Sequence, residues 1–320
     1  MNTLTTGPAL GAPQDGILAW GIRVIEALQS GLPSWTEPVF MFFTLLGEPI
    51  TYLVLIATLF WCVDERRAAR TGIVLFVSAG INTALKETLA VPRPFIRKPG
   101  LNRIAETGFS TPSGHSQNSA AFWPVFLRPL ANRQARIAAS ITLPFVIGVS
   151  RVYLGVHYPT DVLIGWTLGA AVSLSTLFAL PQIAGKLSPA LNARFPRLAV
   201  MPVSVKIAGV AAGVFILNAF SAGDTRMSGV LFGYAAGYLL LVDVSNDSKR
   251  FSAAAGSRAK KILRVILGFT GIAVLYLAGD AACALAGADN LAVCRFAQYA
   301  LAGFWISRLA PELFIRTGLQ

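Results

Sequence analysis

Charged side chains are scarce in this chain of 320 residues. Only 13% of the residues are charged, whereas 54% are hydrophobic, and the mean hydropathy is +0.61. A soluble globular domain carries about 25% charged residues. The deficit argues against an ordinary soluble domain and indicates an integral membrane protein.

Histidine and cysteine are also rare. The two histidines are His115 and His157, and the three cysteines are Cys62, Cys283 and Cys294. The cysteines lack a CxxC or another metal-type spacing, which argues against a cysteine-based metal site. Cys283 and Cys294 flank one short predicted loop, so a disulfide between them is an open alternative.

Acidic residues are fewer than basic ones. Lys and Arg number 27 against 15 Asp and Glu, which gives a formal net charge of +12. Such an excess is found in nucleic-acid-binding proteins, but in an apolar chain it is typical of cytoplasmic loops beside membrane helices. We therefore predict a bilayer and no nucleic acid as partner. The N-terminus lacks a basic region followed by an apolar run, so we expect no cleavable signal peptide there.

Long apolar windows predict an all-α, polytopic membrane helical bundle, because a membrane-spanning helix needs ~20 mostly apolar residues. The first window contains Glu48 and Pro49, which predict a kink. Segment 17–30 is short and carries two charges, so we predict an interfacial helix, with a further spanning helix as the alternative. The nine predicted spanning windows are 38–63, 71–91, 115–130, 137–155, 160–180, 204–221, 227–244, 262–286 and 291–309.

A proline-rich stretch divides these windows into a five-helix core and a four-helix C-terminal extension. If nine helices alternate across the bilayer, most basic residues fall in loops on one side, which is predicted to be the cytoplasm together with the C-terminus. The predicted parts are an N-terminal segment with the interfacial helix, the core, a cytoplasmic linker and the extension, at 1–34, 35–180, 181–203 and 204–320.

Three polar blocks lie on the opposite, extracytoplasmic side of this topology. They are KETLAVPRP, PSGH and SRVYLGVHYPTD, and each ends or begins near a predicted helix end. Together they contain both histidines, three basic residues and two carboxylates, and Glu87, one of the two, is assigned no role. The candidate residues are Lys86, Arg93, His115, Arg151, His157 and Asp161.

This set of side chains suits phosphoryl transfer, because arginine and lysine donors stabilise the charge on phosphate oxygens. Gly114 permits close backbone approach, and a helix start offers free N–H groups to an anion. If Pro159 begins a helix, Asp161 can fold back to hold one ring nitrogen of His157. The other ring nitrogen is then a candidate nucleophile, and His115 can protonate the leaving oxygen.

Two histidines and an aspartate also resemble a facial set of metal ligands. Three nearby cations oppose a divalent metal and favour an anion instead. We therefore predict neither a metal nor a cofactor.

The ordered pattern Lys86-x6-Arg93-Pro94, Pro112-Ser113-Gly114-His115 and Ser150-Arg151-x5-His157-x3-Asp161 resembles the three-part signature of the type 2 phosphatidic acid phosphatase superfamily. That superfamily includes lipid phosphate phosphatases, glucose-6-phosphatase and vanadium haloperoxidases. The resemblance covers residues 35–180 and not the extension. It implies an antiparallel helical bundle that works without a metal, with His157 as nucleophile, Asp161 orienting it and His115 as acid–base residue. The phosphate-binding residues that it implies are Lys86, Arg93, Ser113, Gly114 and Arg151.

The resulting expectation is an integral membrane phosphatase that hydrolyses lipid phosphomonoesters or pyrophosphates through a phosphohistidine. Its active site is expected on the periplasmic or extracytoplasmic face of a bacterial cell membrane. A lipid phosphotransferase, a sugar-phosphate phosphatase and a non-catalytic lipid-binding or transport protein are the alternatives. The extension is expected either to widen the lipid-access cleft or to form a homodimer contact.

Overall fold

In a computed structural model of the chain, the described residues are 13–182, 201–243, 251–287 and 291–320. Within these ranges the regular structure is entirely helical. The first half contains α1 (Pro13–Gly31), α2 (Thr36–Leu45), α3 (Pro49–Cys62), α4 (Glu65–Leu89), α5 (Pro94–Arg97), α6 (Gly114–Phe126), α7 (Arg133–Tyr153) and α8 (Pro159–Leu174), which runs into a π-helical turn at Ser175–Ala179. The second half contains α9 (Val203–Ala219), α10 (Arg226–Asp243), α11 (Arg258–Leu285), α12 (Ala292–Phe304), a π-helical turn at Trp305–Leu309 and α13 (Ala310–Arg316).

Short polar side chains start several of these helices. The carboxylate of Asp64 and the side-chain oxygens of Asn132 and Ser257 accept hydrogen bonds from backbone N–H groups three residues later, at 2.9, 3.0 and 3.4 Å. These are N-caps, which satisfy donors that the first helical turn leaves without a partner. Proline at the first position starts α3, α5 and α8, where its missing N–H costs nothing.

The predicted kink in the first window is confirmed. The window is divided into α2 and α3, whose axes are bent by 48°. Glu48 is extended, with φ −73° and ψ 145°, and Pro49 begins α3. Because proline lacks an N–H and clashes with the preceding turn, one straight helix cannot pass through this point.

The all-helical prediction is confirmed, but the predicted number of nine spanning helices is not. Four of the described helical stretches are long and apolar enough to cross a bilayer, and the bent α2–α3 pair would make a fifth. The other four windows form helices that are shorter or more polar; α6 has 13 residues and α9 has 17. Helix α1 forms over the predicted interfacial segment. Its position relative to a bilayer stays a prediction.

Helix α6 lies between α4, α7 and α8, and two glycines bring α8 close to it. A Cβ atom on Gly165 would lie 2.7 Å from the carbonyl oxygen of Ser113, and one on Gly169 would lie 2.1 Å from that of Gln117. Neither position therefore has room for a side chain. This close approach holds the start of α8 beside the start of α6.

The extension packs directly on the core through α3 and α4. The indole N–H of Trp61 donates to the carbonyl oxygen of Ile306 at 2.9 Å, and its ring covers Gly268 of α11. Arg264 of α11 is fully buried, and its guanidinium donates four hydrogen bonds to backbone carbonyl oxygens at 2.8–3.1 Å. The acceptors belong to Trp61, Ala253, Ala255 and Leu319.

Core and extension thus share one apolar interior, although the part boundaries predicted from sequence stay predictions. Most of the predicted linker, residues 183–200, lies outside the described residues. The same holds for residues 1–12 of the N-terminal segment.

The disulfide that the sequence allowed as an alternative is present. Cys283, near the end of α11, is bonded to Cys294 in the first turn of α12, with their Cα atoms 6.2 Å apart. Cys62, the last residue of α3, is buried and forms no disulfide.

Candidate active site

The carboxylate of Asp161 lies in the first turn of α8 and points back towards His157. Its Oδ2 accepts a hydrogen bond from the backbone N–H of Tyr158 at 2.9 Å and lies 3.3 Å from Nδ1 of His157. Both side chains are almost fully buried. Because Pro159 begins the helix, the four-residue spacing produces the fold-back contact expected from the sequence.

Two hydroxyl groups that sequence reasoning missed also bind this carboxylate. Ser110 donates to Oδ2 and Thr111 to Oδ1 of Asp161, both at 2.5 Å. The backbone N–H of Ser113 donates to the Asp161 carbonyl oxygen at 3.0 Å. The available signal was the polar Ser-Thr pair directly before the PSGH block, since a buried carboxylate requires several donors.

Arg93 lies at the other side of the His157 ring. Its Nη1 is 3.3 Å from Nε2 of His157. Because arginine can only donate, Nε2 is the acceptor and the ring proton belongs on Nδ1, facing Asp161. The guanidinium is held by backbone carbonyls at 2.7–2.9 Å, those of Thr107, Gly108 and Val156. The structure therefore presents the lone pair of Nε2 towards a cationic group.

Two further cations lie in the same cluster. Arg151, on α7, is fully buried; its Nη1 donates to the hydroxyl of Thr44 at 2.7 Å. The Nζ of Lys86 donates to the carbonyl oxygen of Phe109 at 2.9 Å. The Nε–H of Arg151 is buried without a hydrogen-bond partner. The site therefore holds positive charge and one donor that a ligand oxygen can use.

Glu106 provides the counter-charge, and sequence reasoning missed it. Its carboxylate pairs with Nη2 of Arg151 and lies 3.7 Å from Nη2 of Arg93, so it bridges the two arginines. The signal in the sequence was that Glu106 is the one carboxylate between Lys98 and His115. Buried arginines require such a partner, because an uncompensated buried charge is strongly destabilising.

His115 lies in the first turn of α6 and contacts the bend between α2 and α3. Its Nε2 is 3.2 Å from Oε1 of Glu48. A Cβ atom on Gly47 would lie 2.7 Å from Cδ2 of His115, so glycine allows this approach. Glu48 therefore lies at the predicted kink and also contacts His115 of the candidate site.

Ser113 and Gly114 start α6, as expected, but their polar groups have local partners. The Oγ of Ser113 accepts from the N–H of Ser116 at 3.4 Å and from its hydroxyl at 3.0 Å, so it caps the helix. A Cβ atom on Gly114 would lie 3.1 Å from Oδ1 of Asn82. Contact of Ser113 and Gly114 with a phosphate stays a prediction.

The surroundings of His157 favour its neutral form. Burial lowers the pKa of His157 well below the ordinary histidine value. The positive charges of Lys86, Arg93 and Arg151 lower it further, because they repel the imidazolium. A neutral imidazole whose Nε2 lone pair faces a fixed guanidinium is suited to attack an anionic electrophile that binds to the same guanidinium.

Among the described residues, no group of three or more His, Cys, Asp or Glu side chains is arranged to hold a metal ion. The described part of the site instead combines a neutral histidine with three cationic side chains. Electrostatically it suits a phosphate-like anion.

Two family patterns match this chain, one in the core and one in the extension. The pattern of the PAP2 superfamily matches residues 67–184, and that of the PAP2 superfamily phosphatase, transmembrane extension, matches residues 225–320. Phosphatidylglycerophosphatase B of Bacillus subtilis (strain 168) is 31% identical over 143 residues, which cover 42% of this chain and 70% of that protein. The chain belongs to the PAP2 superfamily. The PAP2 resemblance seen in the sequence ended at residue 180, whereas the extension is also a PAP2-associated region.

Glucose-6-phosphatase 3 of Bos taurus is a second PAP2 relative, 29% identical over 182 residues. The match covers 49% of this chain and 52% of that enzyme, so the chain spans about half the length of this relative. Among solved structures, the transmembrane PAP2 type phosphatidylglycerolphosphate phosphatase from Bacillus subtilis is 26% identical, with a TM-score of 0.46, and covers 53% of this chain and 88% of that one. The Aquifex aeolicus LpxE structure is 22% identical, with a TM-score of 0.43, and covers 49% and 93%.

The site geometry predicts a strongly lowered pKa for His157. Ring-proton chemical shifts of the purified protein, followed by NMR in detergent from acid to neutral pH, should show His157 protonating well below the usual pKa of about 6.5. The reason is that burial and three cations disfavour its charged form. With only two histidines, a His115→Gln variant leaves one signal to assign. A His157 midpoint at or above 6.5 would contradict the assigned electrostatics.

Proposed function

We propose that this chain is an integral membrane phosphatase that hydrolyses lipid phosphomonoesters or pyrophosphates through a phosphohistidine, without a metal. The observation that carries the proposal is the placement of His157. Its Nδ1 faces a buried carboxylate, and its unprotonated Nε2 faces the guanidinium of Arg93. This orientation is the one that a histidine nucleophile requires.

The substrate phosphate binds among Lys86, Arg93 and Arg151. Their charges favour a dianion, and the partnerless Nε–H of Arg151 supplies a donor. Glu106 now bridges the two arginines, and a phosphate would take over part of that contact. Because the guanidinium groups are already fixed by protein acceptors, they need little rearrangement as charge develops on the phosphoryl oxygens.

The reaction has two steps. In the first, Nε2 of His157 attacks phosphorus, an N–P bond forms and the bond to the leaving oxygen breaks, while His115 gives that oxygen a proton. In the second, water attacks phosphorus, the N–P bond breaks, and His115 takes the proton from the water. Glu48, 3.2 Å from His115, is its positioning residue, and Asp161 holds the proton on Nδ1 of His157.

A lipid substrate is supported by the name of the Bacillus subtilis relative, a phosphatidylglycerophosphatase. The name of the Bos taurus relative, a glucose-6-phosphatase, favours a second candidate, a sugar phosphate. Transfer to an acceptor lipid instead of water would use the same residues. Hydrolysis and transfer differ in whether free phosphate appears without an acceptor.

A phosphate-release assay tests this proposal. Purified protein in detergent should release phosphate from phosphatidic acid or phosphatidylglycerophosphate without an acceptor lipid, and faster than from glucose 6-phosphate. His157→Ala should lower the rate by about a thousandfold or more, because the nucleophile is lost. Arg258→Ala, an exposed cation on α11 outside the site, serves as the control.

Release from glucose 6-phosphate alone would replace the lipid assignment with the sugar-phosphate one. No release without an acceptor lipid would favour the transferase. Full activity of His157→Ala would refute the phosphohistidine route itself.

The proposed topology has nine spanning helices, an extracytoplasmic active site and a cytoplasmic C-terminus in a bacterial cell membrane. The Cys283–Cys294 bond supports it, because disulfides persist in oxidising compartments and this topology puts that loop outside. Cys62 forms no disulfide and ends α3 on the side that this topology makes cytoplasmic, which is consistent with a reducing compartment there. Arg128 on the α6–α7 loop, with Arg133 and Arg136 in the first turn of α7, supports a cytoplasmic position for that loop.

Labelling of one introduced free cysteine at a time, with the Cys283–Cys294 disulfide left intact, checks this topology. In a Cys62→Ser background, Asn102→Cys lies on the loop before the active site and Ala131→Cys on the α6–α7 loop; both positions are exposed. A membrane-impermeant maleimide on spheroplasts should label position 102 directly and position 131 only after lysis. The reverse result would invert the topology.

A further inference from the structure

An apolar cavity of about 290 Å³ lies between the core and the extension. Helices α3, α4 and α6 line one side, and α10, α11 and α12 line the other. On the extension side, its wall includes Val230, Ile272 and Ala302. The extension therefore provides about half of this cavity, which we call the interhelix chamber.

The interhelix chamber lies directly beside the candidate active site. Gly47 belongs to its wall and is also the residue against which the His115 ring packs. Asn118, one helical turn beyond His115 on α6, lines the chamber as well. A molecule whose phosphate lies at His157 and whose leaving oxygen faces His115 can therefore extend into the chamber.

The chamber also borders a polar pocket, which is not suited to a second anion. Tyr276 and Tyr299 line both cavities. The arginines of the polar pocket are already neutralised. Arg226 pairs with Asp224 at 2.7 Å, and Arg295 pairs with Asp280 at 2.9 Å. The buried Nε–H of Arg151, which has no hydrogen-bond partner, lies at the candidate active site instead, so the chamber is suited to the apolar part of the ligand.

We propose that the interhelix chamber binds one hydrocarbon chain of the lipid phosphate that reacts at His157, so that the extension is part of the substrate site. This inference rests on the proposed function. At about 290 Å³ the chamber is at the lower end of ligand pockets, which span roughly 300–1,000 Å³. It is suited to a single extended chain, because its wall is mainly apolar and burial of each methylene group is favourable.

A series of linear alkyl phosphates tests the inference. For the unmodified protein, kcat/KM should rise from butyl to decyl to hexadecyl phosphate. Ala302→Phe and Val230→Phe fill the chamber from two different helices. Each should lower the ratio of kcat/KM for hexadecyl over butyl phosphate by about tenfold or more, the loss expected when roughly two methylene groups are displaced from an apolar wall.

The matched control is Ala170→Phe. It adds the same side chain to a different apolar groove of about 630 Å³ between α6, α7 and α8, which contains none of the site residues. Its chain-length ratio should equal that of the unmodified protein. If Ala170→Phe lowers the ratio and the two chamber variants do not, the chain binds in the other groove and the inference is overturned.

Failure of the inference and failure of the proposed function give different results. If the unmodified protein releases phosphate from no alkyl phosphate or lipid phosphate, the proposed function fails. If it hydrolyses the series but shows no chain-length preference, or if both chamber variants keep the preference, only the inference fails.

A measurement on the unmodified protein covers the case in which the filled variants do not fold. Hexadecyl phosphate with a diazirine near the end of its chain is photolysed with the protein, and the attached peptides are identified by mass spectrometry. Attachment on α10, α11 or α12 is expected. Attachment confined to α7 and α8 would overturn the inference.

Discussion

The carboxylate of Asp161 is the contact on which the rest of the site depends. It joins the start of α8, the loop before α6 and the ring of His157 through four polar groups. A buried carboxylate without these donors would be costly, so the loop and both helix starts must assemble together. The close approach of α8 to α6 at Gly165 and Gly169 makes this assembly sterically possible.

Charge compensation is the second constraint on the molecule. Arg93 and Arg151 lie inside an apolar bundle, and backbone carbonyls, Thr44 and Glu106 hold them there without a ligand. The protein therefore keeps a cationic arrangement suited to an anion at the cost of buried charge, as membrane proteins do mainly where function requires it. Arg264 is compensated differently, by carbonyls alone, and its contacts fasten the extension to α3.

Much of the architecture followed from local pattern. Most apolar windows agree with the helices to within about four residues, because helix boundaries here depend on local prolines and caps, whereas α4 begins earlier than its window and the last helical run extends to Arg316. The His157–Asp161 contact was predictable for the same reason, as both residues lie within one turn of Pro159. Contacts made across the fold were not predictable: Glu106 meets its arginines, and Ser110 and Thr111 meet Asp161, only after distant segments pack. The predicted nine spanning helices are not confirmed, and α6 and α9 are among the helices that are too short to meet the length of a span.

The central claim is that His157 becomes covalently phosphorylated during turnover. The most direct measurement mixes the protein rapidly with a lipid phosphate, quenches it at alkaline pH, where phosphohistidine is stable, and maps the modification by mass spectrometry. The account predicts one phosphoryl group on the peptide that contains His157, formed before phosphate is released and absent in His157→Ala. Steady turnover with no phosphoryl group on that peptide, or with one on another residue, would contradict it.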